Sequence, residues 1–281
     1  MPIKLREITN TISAEKSSAR FFDSVEWQVV MDKSFCLSSK YFAIEINGIK
    51  LEINININES EFYSHFIGYG GVSVNTISSS DVEEIIHALE RTVGKECKRI
   101  KFYPFVNITI TEGSPFITKK TAVLDITKLS IRKKVSYEIR KARTNGIITR
   151  VIFSKEEIEN FYKIYTETAN RVGSEYRTPI SVFNAISQIK GSFILGAFRG
   201  DSMVAGSVFL CANDWSYFWW NASNTEGRIV SANYLIMNDA IEILQKEGIS
   251  FLDMASSHSS GIKRSKAIWG AEEIAFFEYS K

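Results

Sequence analysis

Apolar and polar side chains alternate along two neighbouring segments in the first half of the chain. The segments cover residues 41–46 and 49–57, and the dipeptide Asn47-Gly48 separates them. Alternation with a period of two is typical of half-buried strands, and an Asn-Gly pair between two such runs is a strong signal for a tight hairpin. We therefore predict a β-hairpin here and loops in the residues that precede it.

A helical pattern follows over residues 81–97, where apolar side chains recur every three or four positions. Ser80 and Glu83 have the spacing of a capping box at its start. A strand is predicted directly afterwards, over residues 99–103. Because only a very short gap separates the helix from this strand, we expect an α/β unit in the first half of the chain.

Residues 130–145 carry many lysines and arginines and are predicted to form an amphipathic helix. Ile131, Val135, Ile139 and Ala142 share one face of this helix, and Gly146 suits the position after its end. We place a domain boundary at the start of the helix, which divides the chain into domains 1–129 and 130–281.

The second half of the chain combines strand-like and helical patterns in a distinctive order. The predicted elements are a strand, two helices, three strands, a helix, a strand, a mixed segment and a strand, over residues 147–153, 154–171, 181–188, 192–198, 203–211, 215–222, 231–246, 249–254, 258–270 and 273–279. Ser154 with Glu157 is predicted to cap the first of these helices. An antiparallel meander followed by a helix and two further strands resembles the order of the GNAT acyltransferases. The expected fold class is α/β, of the α+β kind, with a mixed sheet and flanking helices.

Composition and charge narrow the class of protein. The hydrophobic fraction of 44% and the charged fraction of 23% are ordinary for a globular protein, and a net charge of +2 is too small to indicate DNA binding. The three cysteines lie far apart without partner spacing, so we predict neither a disulfide framework nor a metal site. With no signal peptide or apolar run long enough to span a bilayer, a cytoplasmic protein with at most peripheral membrane contact is expected.

Four segments along most of the chain resemble the FemAB family, whose members are built from two GNAT-like domains. They are the turn Tyr69-Gly70-Gly71, the basic helix at residues 136–146, the helix at residues 161–171 and the segment 261–271. Ser136 and Ser265 stand where the family often has an arginine and an aromatic residue. The resemblance implies two GNAT-like domains in tandem, of which the first is degenerate.

The same resemblance implies acyl transfer to an amino group of a cell-envelope precursor. Family members take acyl-CoA or aminoacyl-tRNA as donor, and peptidoglycan precursors and amino sugars of surface polysaccharides are typical acceptors. We predict acyl-CoA, such as acetyl-CoA, as the donor, because the chain lacks the long heptad insertion with which some members hold tRNA. The predicted acceptor is a small-molecule or lipid-linked sugar.

Lys266 is the first catalytic candidate, since it lies with Lys263 and Arg264 in a small polar loop after a predicted buried strand. Ligand sites collect where strands end in open α/β sheets, and a fixed ammonium there can hold a phosphate or a developing oxyanion. Asp253, at the end of that strand, is a candidate general base, and Lys263 is a candidate substrate ligand. The alternatives are a solvated basic turn and an ordinary strand-end turn.

Polar residues also end the strand predicted over residues 215–222. Asn221 is a catalytic candidate there, and Ser223 is a candidate substrate ligand. Trp219 and Trp220 are expected to point to opposite faces of the sheet, so that one packs in the core while the other, assigned here to Trp219, lines a substrate groove. Core packing of both rings is the alternative.

Two further groups of candidates would bind anions. Arg140 and Lys141 on the basic helix are predicted to hold an anionic substrate, because an arginine offers phosphate a bidentate fork; a solvated helix face is the alternative. The resemblance adds Tyr69 to the substrate-binding set.

The candidates for donor binding are Arg228, Ser231 and Asn233, around the start of the helix predicted over residues 231–246. Backbone N–H groups at a helix N-terminus bind phosphate, and this stretch resembles a degenerate GNAT pyrophosphate loop. An ordinary serine-capped helix explains the same residues.

The sequence therefore predicts an N-acyltransferase in which an amine attacks the donor carbonyl directly. Two alternatives stay open. One is an aminoacyl-tRNA-dependent aminoacyltransferase that acts on a peptidoglycan precursor. The other is a non-catalytic GNAT-like binding module.

Overall fold

Two units make up the chain in the computed structural model, which describes residues 3–8, 21–257 and 259–281. Unit 1 comprises Met1–Thr121 and Ile274–Lys281, and unit 2 comprises Ala122–Glu273. The division falls between Thr121 and Ala122, and the last strand contributes most of its residues to unit 1. The domains 1–129 and 130–281 stay a prediction.

The strands and helices follow one another along both units. The strands are β1 Lys4–Ile8, β2 Ser38–Ile46, β3 Ile49–Ile57, β4 Glu61–Tyr63, β5 Thr76–Ser78, β6 Glu96–Lys101, β7 Asn107–Thr109, β8 Phe116–Asp125, β9 Ile147–Ile152, β10 Phe193–Arg199, β11 Ser202–Ala212, β12 Trp215–Ser223, β13 Phe251–Asp253 and β14 Glu272–Ser280. The helices are α1 Val25–Phe35, α2 Ser79–Val93, α3 Lys133–Thr144, α4 Lys155–Arg171, α5 Ile180–Ile186, α6 Thr225–Ile229, α7 Ala232–Lys246 and α8 Ser260–Ala267.

The predicted hairpin of unit 1 is confirmed by strands β2 and β3. The two strands pair antiparallel in a register that ends with Ile46 opposite Ile49. Asn47 and Gly48, between them, have φ angles of 49° and 80°. Two consecutive residues in the left-handed region form the tight turn that matches the twist of a hairpin, and asparagine and glycine adopt this region most readily.

The prediction of loops before the hairpin is wrong, because β1 and α1 lie there. Strand β1 pairs with β2, and α1 buries Trp27, Gln28, Val30 and Met31. The buried Gln28 interrupts the apolar stripe by which a helix is detected in sequence. Its side chain is satisfied by hydrogen bonds to buried neighbours, which allows a polar residue on the inner face.

Helix α2 is confirmed in position, but it begins and ends earlier than predicted. Ser78, rather than Ser80, is the N-cap, and its hydroxyl accepts the N–H of Asp81 at 3.1 Å. The helix stops at Gly94, whose φ of +69° is left-handed and so suits a glycine. The residues that follow belong to β6 instead.

Unit 2 confirms the predicted order of elements. Its strands lie in the order β8-β13-β12-β11-β10-β9. Strands β9 to β12 form an antiparallel meander, β12 and β13 are parallel, and α6 and α7 provide the crossover between these two. An all-parallel sheet is thereby excluded for this unit.

Helices cover both faces of the unit 2 sheet. Apolar side chains of α3 and α7 pack with Ala205 and Phe209 of β11 in one buried cluster. On the opposite face, Phe161 of α4 lies so close to Gly206 that a Cβ there would come within 2.5 Å of its ring. Helix α4 begins with the predicted capping box of Ser154 and Glu157. No helix within the described ranges is both long and apolar enough to cross a bilayer.

Candidate active site

The parallel strands β12 and β13 of unit 2 stay together over only three residues each. Trp215–Tyr217 pair with Phe251–Asp253, whereas β12 continues to Ser223. On its other edge, β12 pairs with β11. Phe209 of β11 pairs with Phe218 and Val208 pairs with Trp220, so Trp219 is the extra residue of a β-bulge. The bulge bends β12, and within the described residues its edge is no longer paired with β13. Such an opening at the carboxyl ends of parallel strands is a common place for a ligand.

Asp253 and Lys266 lie together where β13 ends. The Oδ1 atom of Asp253 accepts the N–H of Ala255 at 2.7 Å and thereby holds a turn in which Ala255 has a left-handed φ of +62°. The Lys266 ammonium donates to the carbonyls of Ala255 and Ser256, each at 2.8 Å. Because an alanine enters this backbone region only at a cost, the carboxylate and the ammonium hold a strained loop next to the opening.

The structure corrects the expected surroundings of Lys266. The residue lies in helix α8, not in a loop, and only 7% of its surface is exposed. Burial lowers the pKa of its ammonium to about 8, which is the larger effect, while the charge of Asp253 acts in the opposite direction. A lysine in this condition can hold developing negative charge and can also exchange a proton near neutral pH.

The end of β12 joins several of the predicted residues. Ser223 is buried, and the Arg228 guanidinium donates to its carbonyl at 3.0 Å. Asn233 lies on α7 and donates to the Ser223 hydroxyl at 3.3 Å, while its Oδ1 atom is buried without a hydrogen-bond partner among the described residues. The Thr168 hydroxyl of α4 accepts the backbone N–H of Ser223. The structure therefore brings Ser223, Arg228 and Asn233 into one cluster.

Ser231 does not cap helix α7 in the ordinary way. It has a left-handed φ of +62°, and its hydroxyl donates to Glu138 of α3 at 2.6 Å instead of accepting a helix N–H. The first N–H groups of α7 thus receive no side-chain cap from Ser231. Such groups, with the positive end of the helix dipole, are suited to an anion.

Helix α3 presents its basic residues on the side away from its buried face. Val135, Ile139 and Ala142 are buried, as predicted, whereas Ile131 lies before the first residue of the helix and is exposed. Arg140 is exposed and Lys141 is half-buried, and neither has a carboxylate within ion-pair distance in the part of the chain that the structure describes. Because α3 packs against α7, these cations belong to the same face of unit 2 as the donor-binding candidates.

The bulge changes the expected orientation of the tryptophans. Trp219 and Trp220 were expected on opposite faces, but their rings lie 6.4 Å apart edge to face, and Trp219 is also 6.5 Å from Tyr217. The extra residue therefore breaks the alternation and leaves both indoles on one face of the sheet. Asn221 is exposed, and its Oδ1 atom accepts the Ser207 hydroxyl at 3.1 Å.

Two of the predicted residues have surroundings of a different kind. Tyr69 is in unit 1, 1% exposed, with the Lys101 ammonium 4.4 Å above its ring. It packs as part of a buried aromatic cluster, so its role as a substrate ligand stays a prediction. Lys263 is exposed on α8 and forms an ion pair with Glu273 at 2.7 Å.

Some features of the candidate site have no signal in the sequence. The bulge at Trp219, the left-handed Ala255 and the bond from Ser231 to Glu138 depend on contacts between distant segments. Thr168 carries no motif and is seen only because it binds the β12 backbone. Among the described residues no group of three or more His, Cys, Asp or Glu could hold a metal ion, and His258 lies outside these residues.

The family model for the acetyltransferase (GNAT) domain matches residues 130–259, which contain the meander, α7 and β13. No curated protein sequence matches the chain significantly. The matched residues include both the opening between β12 and β13 and the start of α7.

Solved structures with a similar fold extend the likeness beyond that domain. FemX shares 12% identity over 99% of this chain and 97% of its own, with a TM-score of 0.68. A tandem GNAT protein from the clavulanic acid biosynthesis pathway shares 9% identity over 99% and 98%, with a TM-score of 0.57. The C-terminal domain of a putative lysylphosphatidylglycerol synthetase from Agrobacterium fabrum shares 8% over 81% and 80%, with a TM-score of 0.56. Identities this low show the fold alone, and it is the predicted FemAB-like GNAT fold.

Proposed function

We propose that this chain, whose C-terminal unit is a GNAT acyltransferase domain in a FemAB-like fold, transfers an acyl group from acyl-CoA to the amino group of a cell-envelope or surface-polysaccharide precursor. The observation that carries the proposal is the opening between β12 and β13. A cluster of polar candidates borders it at each end, and the start of α7 lies beside one of them.

The opening suits the shape and chemistry of acyl-CoA. The edge of β12 beyond Tyr217 can pair with the two amide groups of an extended pantetheine arm, as a peptide pairs with a strand edge. Arg228 and the uncapped first turn of α7 would then hold the pyrophosphate. The acyl carbonyl would lie near the bulge, on the side of Asp253 and Lys266.

The reaction at this position needs no covalent enzyme intermediate. The neutral amine attacks the thioester carbonyl carbon, the carbon–sulfur bond breaks, and the thiolate takes up the proton that the amine nitrogen releases. Lys266 would stabilise the oxyanion, directly or through the loop that it holds, and Asp253 would orient this lysine. Asn221 of β12 is a further polar candidate, two residues beyond the bulge.

The envelope precursor as acceptor is supported by the names of the structural relatives, FemX and a putative lysylphosphatidylglycerol synthetase. The cations of α3 support a substrate that carries phosphate. Because α3 adjoins the donor-binding candidates, Arg140 could serve the phosphates of CoA instead of those of the acceptor. A comparison of Michaelis constants distinguishes these two roles.

Aminoacyl-tRNA is the second candidate donor. The fold likeness to FemX over nearly the whole chain favours it, and the basic face of α3 would then meet a nucleic-acid backbone. Binding through such contacts weakens steeply with added salt.

The proposal is tested by incubating the purified protein with an array of amino sugars and nucleotide-linked amino sugars as acceptors. One set of incubations contains radiolabelled acetyl-CoA as the donor, and a separate set contains charged tRNA. We expect labelled amide product and thiol release with acetyl-CoA. Product with charged tRNA alone would establish the second candidate. No product and no binding of either donor would leave the non-catalytic binding module.

A further inference from the structure

A threonine of helix α4 binds both backbone polar groups of the last residue of β12. The Thr168 hydroxyl accepts the N–H of Ser223 at 3.1 Å and donates to the carbonyl of the same residue at 3.2 Å. A threonine inside a helix can donate instead to the carbonyl four residues earlier, as Thr166 of the same helix does to Tyr162 at 2.9 Å. Thr168 therefore binds the strand in place of its own helix.

The two groups that Thr168 binds point away from the neighbouring strand β11. Asn224, the next residue along the chain, donates its N–H to the Val204 carbonyl of β11 at 3.1 Å. Because the backbone groups of successive strand residues point to opposite sides, the N–H and the carbonyl of Ser223 lie on the edge of β12 that faces the opening. Thr168 thus ends this open edge at Ser223.

The carbonyl of Ser223 also holds an arginine. The Nη1 atom of Arg228 donates to this carbonyl at 3.0 Å, and its Nη2 atom donates to the Thr225 hydroxyl at 2.9 Å. The backbone beside the arginine is packed tightly, since a Cβ at Gly227 would lie 2.3 Å from the carbonyl oxygen of Val204. The guanidinium is therefore held at two nitrogen atoms, on a turn that lies directly against the sheet.

Only uncharged groups hold the guanidinium of Arg228. Glu226, the nearest carboxylate along the chain, forms an ion pair with Arg199 of β10 at 2.7 Å. Arg228 is exposed and has no carboxylate within ion-pair distance among the described residues. A carbonyl and a hydroxyl orient the guanidinium without neutralising its charge, and its remaining N–H groups can donate to an anion.

We infer that Thr168 is a positioning residue for the donor, because it fixes the Ser223 carbonyl that holds Arg228 in place for the pyrophosphate of acyl-CoA. The inference rests on the proposed binding of acyl-CoA. A diphosphate is the fitting ligand group, since an oriented guanidinium offers it two parallel N–H bonds. Orientation before binding also lowers the entropy that is lost when the ligand arrives.

Calorimetric titration of the full-length protein with desulfo-CoA, which lacks the reactive sulfur, measures the donor affinity directly. Thr168→Val keeps the branched shape but removes the hydroxyl, so it should weaken binding about tenfold. Thr168→Ser keeps the hydroxyl and should restore most of the affinity. Thr166→Val is the matched control, because the hydroxyl that it removes binds a carbonyl of its own helix, and its affinity should equal that of the wild type.

A double-mutant cycle shows whether Thr168 acts through Arg228. Arg228→Gln should itself weaken the binding of desulfo-CoA about tenfold. In that background, Thr168→Val should weaken binding by less than about twofold more, because the group that it positions is gone. The same tenfold loss in both backgrounds would contradict the inference, since the effect of Thr168 would then not pass through the arginine.

Turnover distinguishes a positioning role from damage to the fold. In Thr168→Val, the KM of acetyl-CoA should rise about tenfold, while kcat and the acceptor KM should stay within about twofold of the wild type. Circular dichroism verifies folding, and if the valine variant does not fold, Thr168→Ala and Thr168→Ser carry the test. An equal fall of all parameters, or an equal loss in Thr166→Val, would make Thr168 merely structural.

The outcomes separate this inference from the proposed function. Unchanged affinity of Thr168→Val, in a protein whose wild type binds desulfo-CoA, would overturn the inference alone. No binding of desulfo-CoA by the wild type would contradict both the inference and the proposed donor. Binding that depends on Thr168 and Arg228, without acyl transfer from acetyl-CoA to any acceptor, would contradict the proposed function and keep the positioning role.

Discussion

Each unit contains a pair of parallel strands joined through a helix, and the two pairs differ in what lies beside them. In unit 1, the chain after β4 stays bonded to β6 and its extension, since Gly70 donates to the Lys101 carbonyl at 2.6 Å and bridges Phe102. In unit 2, the strands β12 and β13 separate after three residues. The same topological position is therefore filled by the chain itself in unit 1 and open in unit 2.

Small and aromatic residues account for the filled position. A Cβ at Gly71 would lie 2.6 Å from the Phe102 ring, and one at Gly70 would lie 2.5 Å from the His65 ring. The aromatic side chains of unit 1 thus occupy the space that corresponds to the proposed ligand position in unit 2. A GNAT-like topology thus provides a position for a ligand site, while side-chain volume and the bulge decide whether that position is open.

A substitution in the filled position of unit 1 should have the largest effect on stability. Gly71→Ala should lower the free energy of unfolding by about 3 kcal/mol, because strain at the φ of +87° adds to the clash with Phe102. Gly94→Ala is the matched control, since its φ is +69° but nothing lies within 4 Å, and it should cost about 1 kcal/mol. Urea unfolding measures both. Equal losses would mean that the Phe102 contact is not tight.

Replacement of Lys266 should have the next largest effect, which is on activity. Lys266→Met keeps the length of the side chain and removes the charge, so turnover should fall at least about tenfold, as expected for the loss of an oxyanion partner. Because the lysine is buried and holds two carbonyls, the variant should also lose stability at neutral pH. Unchanged kinetics together with lost stability would leave Lys266 a structural residue only.

The pH dependence of stability isolates the same residue. Its folded pKa of about 8 is below the ordinary 10.5, so the unfolded state binds more protons between these values and stability rises with pH there. The wild type should gain about 2 kcal/mol relative to Lys266→Met between pH 8 and pH 10. Urea titrations at both pH values give this difference, and a constant difference would show that the lysine is not desolvated.

Substitution of Arg140 should have the smallest effect, and it tests which substrate the basic helix α3 binds. Arg140→Ala should raise the Michaelis constant of the phosphate-bearing substrate about tenfold, and Arg140→Lys should restore only part, because the planar fork is lost. A rise for the acceptor alone supports the predicted role. A rise for acetyl-CoA alone would assign α3 to the donor, and no change for either would make it a solvated face.

The parts that could be predicted from sequence are those that depend on local pattern. The Asn47-Gly48 turn, the Ser154–Glu157 capping box and the element order of unit 2 follow from periodicity and turn chemistry, and all three are confirmed. Helix α1 was missed because a buried glutamine interrupts its apolar stripe. Helix α1 has a local start signal in its N-cap Ser24, but it lacks the apolar periodicity that identifies the elements of the first group.

The candidate site was predictable as a set of residues but not as an arrangement. Ser223, Arg228 and Asn233 were singled out along the chain, and the structure groups them. The bulge that turns Trp219 and Trp220 to one face, and the burial of Lys266, result from pairing with distant strands. Such features have no local signature, since register between strands is set by the whole sheet.

Amide hydrogen exchange with and without desulfo-CoA, an analogue that binds but cannot react, tests the central claim most directly. The claim is that the open pair of strands in unit 2 receives the donor and the filled pair in unit 1 does not. We predict slower exchange in peptides from residues 215–235, which contain β12 and the start of α7, and no change in residues 61–75. Protection of residues 61–75 instead, or no protection at saturating ligand, would contradict the account.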